Sequence, residues 1–178
     1  MTPREAEEYR ALRATIRERG SLRVGLFFGV MVAWAAATIA TAALASLPVA
    51  TLLPLLVLAA GFEAVFVLHS GVERIGRYLQ VFYAAEAGAP EWERAAMAYG
   101  RAHAGSGPDA LFSAYFFLAT VLNFVPVLLS DPVSLEVGVI GTIHLVAIAR
   151  VAVARRASGR QRALDLQRFE QIRSENLT

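Results

Sequence analysis

Residues 55–77 read LLVLAAGFEAVFVLHSGVERIGR, an apolar run that passes into a charged segment without an intervening proline. The apolar part reaches back to residue 49, and an α-helix needs about 20 such residues to cross a bilayer. Beyond residue 69 the apolar residues keep the spacing of a single helix face, at Val72, Ile75, Leu79 and Phe82. The stretch therefore predicts a spanning helix that continues past His69 as an amphipathic helix.

Three other stretches have a similar length and apolarity, which places the predicted spans at 22–45, 49–69, 110–129 and 133–154. Hydrophobic residues make up 56% of the 178-residue chain and charged residues 18%, against about 45–50% and about 25% in soluble domains. We therefore predict an all-α polytopic membrane protein. It forms a single domain over residues 1–178, with four transmembrane helices in a bundle and amphipathic cytoplasmic helical extensions.

The basic residues are all arginine, and their positions predict the orientation in the membrane. Of the 17, six lie in 4–23, four in 74–101 and seven in 150–173, whereas the loops 46–51 and 130–136 carry none. Because positive charge in short loops marks the cytoplasmic side, both termini and the middle segment are predicted to be cytoplasmic. This places the protein in the inner (cytoplasmic) membrane, with its first span retained rather than cleaved as a signal peptide.

Local patterns predict the ends and the packing of these helices. Cytoplasmic helices are expected at 2–18, 70–87, 90–104 and 155–175. Thr2-Pro3-Arg4-Glu5 has the form of a capping box, and Asp131 is placed to cap the fourth span. The first span carries small residues at every fourth position, at Gly25, Gly29, Ala33, Ala37, Thr41 and Ala45. We interpret this row as a surface for close helix packing, within the bundle or across an oligomer interface.

A polar site at mid-membrane is predicted around Glu63. Glu63 lies about 22 Å along the second span from Pro48, and His144 lies about 18 Å along the fourth span from Pro132. Trp34 and Tyr115 reach nearly the same depth. Because a carboxylate at mid-membrane needs a partner, water or a proton, these four residues form a candidate ligand or proton site. A structural hydrogen bond between two helices is the alternative.

A second polar cluster is predicted at the cytoplasmic boundary, from His69, Glu73, Arg74 and Arg77. Glu73 and Arg77 lie four residues apart and are predicted to pair. His69 and Glu73 also lie one turn apart but supply only half of a metal site, so no cofactor is predicted, and a metal or haem bound by His69, Glu73 and His144 is the minor alternative. Asn123 precedes Pro126 by one turn and is interpreted as part of a kink. No cysteine, phosphate-binding loop, HExxH motif or dinucleotide fingerprint is present, so no catalytic residue is predicted.

The leading functional hypothesis is a small homo-oligomeric membrane protein with a transport or permeation role, centred on Glu63. The alternative is a non-catalytic membrane scaffold or accessory subunit that binds a partner through its cytoplasmic helices. A membrane enzyme or haem protein is the third. The expected partners are the lipid bilayer, with anionic lipid at its cytoplasmic face, a second copy of the chain and a protein on the cytoplasmic helices. Nucleic acid is not expected, because the arginines follow the membrane borders.

Overall fold

A computed structural model describes residues 2–42, 47–83 and 111–175, in which four α-helices and one short 3-10 helix are present. These are α1 (Pro3–Ala42), the 3-10 helix (Pro48–Thr51), α2 (Leu52–Phe82), α3 (Ser113–Leu129) and α4 (Ser134–Glu175). These ranges contain no strand, so the predicted all-α class is confirmed. The predicted helix 90–104, the end of the predicted helix 70–87 and residues 43–46 lie outside the described residues.

The helices are longer than the predicted elements, because each extension and its span form a single helix. The continuation of α2 past His69 is confirmed, since the helix ends at Phe82. The same holds at both ends of the chain, where α1 runs unbroken for 40 residues and α4 for 42. A single glycine costs a helix about 1 kcal/mol, which is too little to interrupt such long segments.

Three helical segments are long and apolar enough to cross a membrane: α1, the 3-10 helix together with α2, and α4. The fourth, α3, has 17 residues and falls short of the same length criterion. At 1.5 Å per residue it spans about 25 Å, compared with about 30 Å for a hydrocarbon core.

Large apolar side chains are exposed over most of the predicted spans. They include Phe28 (62% exposed), Val32 (70%), Leu135 (75%) and Val146 (63%). Among the described residues, the large exposed apolar side chains outside the predicted spans are Leu47, Leu164 and Ile172. Continuous apolar surface of this extent is typical of contact with lipid or with another protein.

The two predicted helix starts have different outcomes. The capping box is confirmed, because the Glu5 amide donates to Thr2 Oγ1 at 3.3 Å and the Thr2 amide donates to the Glu5 carboxylate. The predicted cap by Asp131 is wrong: Glu136 accepts the Val133 amide at 3.1 Å instead. Asp131 adopts a left-handed backbone, with φ of 48°, and belongs to the turn before α4.

The core of the bundle surrounds α2, which packs against α1, α3 and α4. Its buried centre is aromatic. Phe62 of α2 contacts Phe116 of α3 edge to face at 5.2 Å, and Phe27 of α1 stacks on Phe112 at 4.2 Å. Along α2, the buried residues Leu58, Phe62 and Val65 separate the polar residues near the 3-10 helix from those beyond His69.

The close approach of α1 and α2 occurs at Gly61. A Cβ atom added there would lie 2.4 Å from both γ-carbons of Val30 and 2.9 Å from its Cβ. The predicted small-residue row does not make this contact, since a Cβ added at Gly25 or Gly29 would meet no described atom within 4 Å. At Gly25 and Gly29 the row therefore faces away from the described part of the bundle.

Replacing Gly61 with alanine is expected to lower the free energy of unfolding by about 1–3 kcal/mol, the usual range for overpacking a core. Val30 is β-branched and cannot rotate away, so the helices must separate. Gly76→Ala is the control on the same helix, because a Cβ there meets nothing within 4 Å. Unfolding titrations in mixed micelles measure both. Equal stability of the two variants would contradict the close crossing.

Candidate polar sites between the helices

A buried asparagine of α3 joins this helix to three other helical elements, at the end of the bundle where the 3-10 helix lies. Asn123 of α3 is 2% exposed. Its Oδ1 accepts the Trp34 indole N–H at 3.1 Å, and its Nδ2 donates to the Thr51 carbonyl at 2.9 Å and to His144 Nε2 at 3.0 Å. His144 Nδ1 lies 2.9 Å from the Ile140 carbonyl. We call Trp34, Thr51, Asn123 and His144 the Asn123 cluster.

The hydrogens of the Asn123 cluster have one consistent arrangement. The Trp34 indole can only donate and the Thr51 carbonyl can only accept, which orients the amide of Asn123. The amide nitrogen therefore faces His144, so Nε2 accepts and the ring hydrogen lies on Nδ1, where it donates to Ile140. A second ring proton on His144 would require Asn123 to turn its amide against both other partners. The geometry thus favours a neutral structural tie over a proton relay.

A cavity of about 220 Å³ lies among the end of α1, the turn before α2 and the end of α3, with Asn123 in its wall. Hydroxyl groups contribute to the lining, from Thr38, Thr51 and Ser130. Each of these hydroxyls donates to a nearby backbone carbonyl, at 2.8–2.9 Å. Their oxygens keep acceptor capacity, so the cavity suits a small polar solute better than an anion.

Glu63 is paired with an arginine of α4. Arg150 Nε lies 2.7 Å from Glu63 Oε1, and Arg150 Nη2 donates to Oε2 at 2.8 Å, which is the two-bonded fork geometry. The guanidinium carbon also lies 5.1 Å from the ring centroid of Phe66. The side chains remain 46% and 41% exposed, on the outside of the bundle. The pair neutralises both charges.

The four residues of the site predicted around Glu63 are divided by the structure. Trp34 and His144 meet through Asn123, whereas Glu63 meets Arg150, so the expected contact between Glu63 and His144 is not made. Tyr115 is 61% exposed and packs on Phe27 at 5.6 Å. Counting residues along each helix gives a depth, but depth does not determine the direction in which a side chain leaves its helix.

Sequence reasoning missed two residues, Asn123 and Arg150. Arg150 lies about 27 Å along its helix from Pro132, within about one turn of the depth of Glu63. Comparing depths for opposite charges would have found this pair. Asn123 was attributed to a proline kink, and its spacing carries no signal for a hydrogen-bond hub.

At the cytoplasmic boundary His69 connects three helices. Arg23 Nη1 of α1 lies 2.9 Å from His69 Nδ1, and His69 Nε2 lies 3.1 Å from Ser158 Oγ of α4. Arginine can only donate, so Nδ1 accepts and Nε2 carries the ring hydrogen toward Ser158. His69 is 6% exposed. Both ring nitrogens thus have protein partners, and neither is presented to Glu73 for chelation.

Beyond His69 a buried ion pair joins α2 to α4. Arg77 Nη1 donates to Asp165 Oδ2 at 2.6 Å, and both side chains are less than 10% exposed (6% and 7%). The predicted pair between Glu73 and Arg77 is also present, at 3.0 Å. Gln161 donates to the other Asp165 oxygen at 2.8 Å. We call Glu73, Arg77, Gln161 and Asp165 the Asp165 cluster.

Electrostatics keep Asp165 charged. Burial acts to raise the pKa of Asp165, but the hydrogen bonds from Gln161 and Arg77 and the positive charges of Arg77 and Arg74 lower it below its ordinary value. Arg74 is itself exposed and lines a cavity of about 300 Å³ with members of the Asp165 cluster. Since that cavity presents both signs of charge, its lining has no strong preference for an anion or a cation.

Aromatic residues complete the packing of the extensions. Tyr9 of α1 contacts Tyr83 at 5.7 Å, and Phe169 of α4 contacts Tyr78 at 5.8 Å. The Tyr78 hydroxyl donates to Glu8 at 2.9 Å. Burial, together with the nearby carboxylate of Glu8, raises the pKa of both Tyr78 and Tyr83. The extensions of α1, α2 and α4 therefore form a packed layer with its own small core.

No group of three or more histidine, aspartate or glutamate side chains in the described ranges is arranged to hold a metal ion. His69 and His144, which were considered as ligands for a metal or haem, belong to separate clusters. The arrangement of the described residues therefore gives no support to a metal or haem site built from His69, Glu73 and His144.

These features define an all-helical protein in which three helices are long and apolar enough to cross a membrane and carry polar ties between them. Comparison with known proteins adds no further assignment. No family model, curated protein or solved structure matches the chain.

Proposed function

We propose that the protein is a non-catalytic membrane scaffold or accessory subunit, which holds a helical layer at the cytoplasmic face and presents it to a protein partner. The observation that carries this proposal is the continuity of α1, α2 and α4 from their apolar parts into the packed extension layer. A helix that does not break at the boundary holds its extension at a fixed position relative to the apolar bundle.

The polar groups support the same reading, because they tie helices together. Asn123 joins α1, α3 and α4, His69 lies between α1 and α4, and Asp165 joins α4 to α2. Polar contacts of this kind fix which helices are neighbours. A scaffold needs that rigidity, whereas a carrier needs helices that can exchange partners.

The proposal includes the membrane orientation. Four spans with both termini in the cytoplasm account for the exposed apolar side chains on the predicted spans and for the absence of arginine from the loops 46–51 and 130–136. On this view α3 is a short fourth span, and the layer formed by the extensions lies on the cytoplasmic side.

A docking surface is available on the extension of α4. Leu164 and Ile172 are 45% and 46% exposed, and Arg160 and Arg168 are exposed at the same fourfold spacing. Residues four apart share a helix face, so these side chains form an apolar stripe with positive charge. The complementary partner is an amphipathic acidic helix.

Photo-crosslinking in the source cell tests the scaffold. A photoreactive amino acid at Leu164 or Ile172 is expected to yield one discrete adduct, and the same group at Ala163 or Glu170, on other faces, is expected to yield none. Arg168→Glu in the chain that carries the photoreactive group is expected to abolish the adduct. Arg162→Glu in the same chain is expected to leave the yield of adduct unchanged. Absence of the adduct, or equal adducts at all four positions, would count against a partner on this face.

A transport or permeation role is the second candidate, favoured by the cavity of about 220 Å³ beside Asn123. A homo-oligomer fits this role, since the small-residue row of α1 is open for a second copy. Thr38→Leu fills the cavity, whereas Ile39→Leu changes an exposed position. If proteoliposomes carrying the protein swell in glycerol or urea and only Thr38→Leu abolishes the swelling, transport replaces the scaffold as the preferred function.

A further inference from the structure

An open groove of about 740 Å³ runs between the start of α3 and the middle of α4. One part of its lining is apolar and includes Phe117 and Ile148. At its other end lie two adjacent arginines, Arg155 and Arg156, both exposed. The described lining contains no acidic side chain. The groove therefore combines an apolar channel with a concentrated positive charge.

These two arginines differ from Arg77 and Arg150, which also line cavities between the helices. Arg77 is bound by Asp165 and Glu73, and Arg150 is bound by Glu63. Within the described residues, by contrast, neither Arg155 nor Arg156 has an ion-pair or hydrogen-bond partner. Two guanidinium groups at one end of a groove can bind a phosphate through several charge-assisted hydrogen bonds.

We propose that this groove binds an anionic phospholipid, with the phosphate on Arg155 and Arg156 and an acyl chain along Phe117 and Ile148. The position of the groove agrees with this occupant. The predicted fourth span ends at residue 154, so the two arginines lie at the headgroup level of the cytoplasmic leaflet and the apolar lining faces the hydrocarbon. That leaflet is rich in anionic lipid, which attracts arginine near the surface.

The inference rests on the membrane insertion proposed above, but not on the protein partner. Insertion is read separately, as resistance of the protein to alkaline carbonate extraction from membranes. Extraction of the protein by carbonate would contradict both the proposed membrane orientation and the lipid site. Resistance to extraction combined with a negative result in the lipid test below would contradict the lipid site alone.

The test measures lipid retained by the purified full chain in micelles, by native mass spectrometry, after titration with dioleoyl phosphatidylglycerol or dioleoyl phosphatidylcholine. We expect preferential retention of one phosphatidylglycerol. Arg155→Gln with Arg156→Gln is expected to weaken that retention about 25-fold, because each arginine near an anionic headgroup contributes roughly a fivefold factor. Inorganic phosphate in millimolar excess is expected to leave the lipid bound, since it offers no acyl chain to the groove.

Two matched controls separate the groove from general surface charge. Arg160→Gln with Arg162→Gln removes the same charge from exposed positions outside the groove and is expected to change retention less than threefold. Ala152→Trp, which fills the groove, is expected to prevent retention, whereas Ala149→Trp, outside it, is not. Equal retention of both lipids, or equal losses in the two arginine pairs, would overturn the proposal, as would displacement by inorganic phosphate. Circular dichroism confirms that each variant keeps its helices.

Discussion

Replacing Asn123 with leucine is expected to lower the free energy of unfolding by about 2–4 kcal/mol. Leucine has the same number of side-chain heavy atoms and the same branching at Cγ, so the main loss is one of hydrogen bonds rather than of packing. It leaves the Trp34 indole, the Thr51 carbonyl and His144 Nε2 without their partner. Each buried group left unsatisfied costs about 1 kcal/mol or more, and hydrogen bonds between membrane helices average about 0.6 kcal/mol. Unfolding titrations with dodecyl sulfate in mixed micelles measure the change.

Double-mutant cycles show whether the effect comes from the Asn123 cluster. Asn123→Leu and His144→Phe should couple by at least about 0.5 kcal/mol, because their side chains touch. Glu63→Gln and His144→Phe should couple by less than about 0.3 kcal/mol, because they belong to separate contacts. Leu122→Ala, at an exposed neighbour of Asn123, serves as the single-site control. The reverse order of coupling would restore the site first predicted around Glu63 and contradict the observed hydrogen bonds.

Asp165→Ala is expected to lower the free energy of unfolding by about 3–5 kcal/mol, the usual result of removing one partner from a buried ion pair. Arg77 would keep its charge in a buried position, with only the half-exposed Glu73 beside it. Glu73→Ala removes the other carboxylate bound to Arg77 and is expected to cost less than about 1 kcal/mol. Similar losses in both variants would show that Asp165 has no special role.

Two further variants test the charge on Asp165. Arg77→Leu with Asp165→Leu should be more stable than Asp165→Ala, because no unpaired charge remains. The pKa of Asp165 is lowered in the folded protein, so its stabilisation is present above the unfolded value of about 3.9 and is lost as the pH falls through the folded value. Asp165→Asn should therefore flatten the loss of stability below about pH 4 relative to the wild type. An equal loss of stability below about pH 4 in Asp165→Asn and in the wild type would contradict a lowered pKa of Asp165.

Local chemistry determined much of the secondary structure. The apolar run and the spacing of Val72, Ile75 and Leu79 were enough to predict that α2 continues past His69, because hydrophobic periodicity belongs to the helix itself. The Thr2–Glu5 capping box and the Glu73–Arg77 pair were readable for the same reason, since their partners lie three or four residues apart. The composition changes near Gly20 and near residue 155, but α1 and α4 run through both positions, because a boundary in composition is not a boundary in backbone conformation.

Only the tertiary structure decided which polar residues meet. Glu63 and His144 reach similar depths, yet Glu63 binds Arg150 and His144 binds Asn123. Depth follows from counting residues along a helix, whereas the rotation of each helix about its axis follows from packing, including the crossing of Gly61 with Val30. The sequence alone therefore determined where the apolar helices and their charged extensions lie along the chain. The polar ties between the helices required the structure, because they depend on contacts between residues 21–89 positions apart.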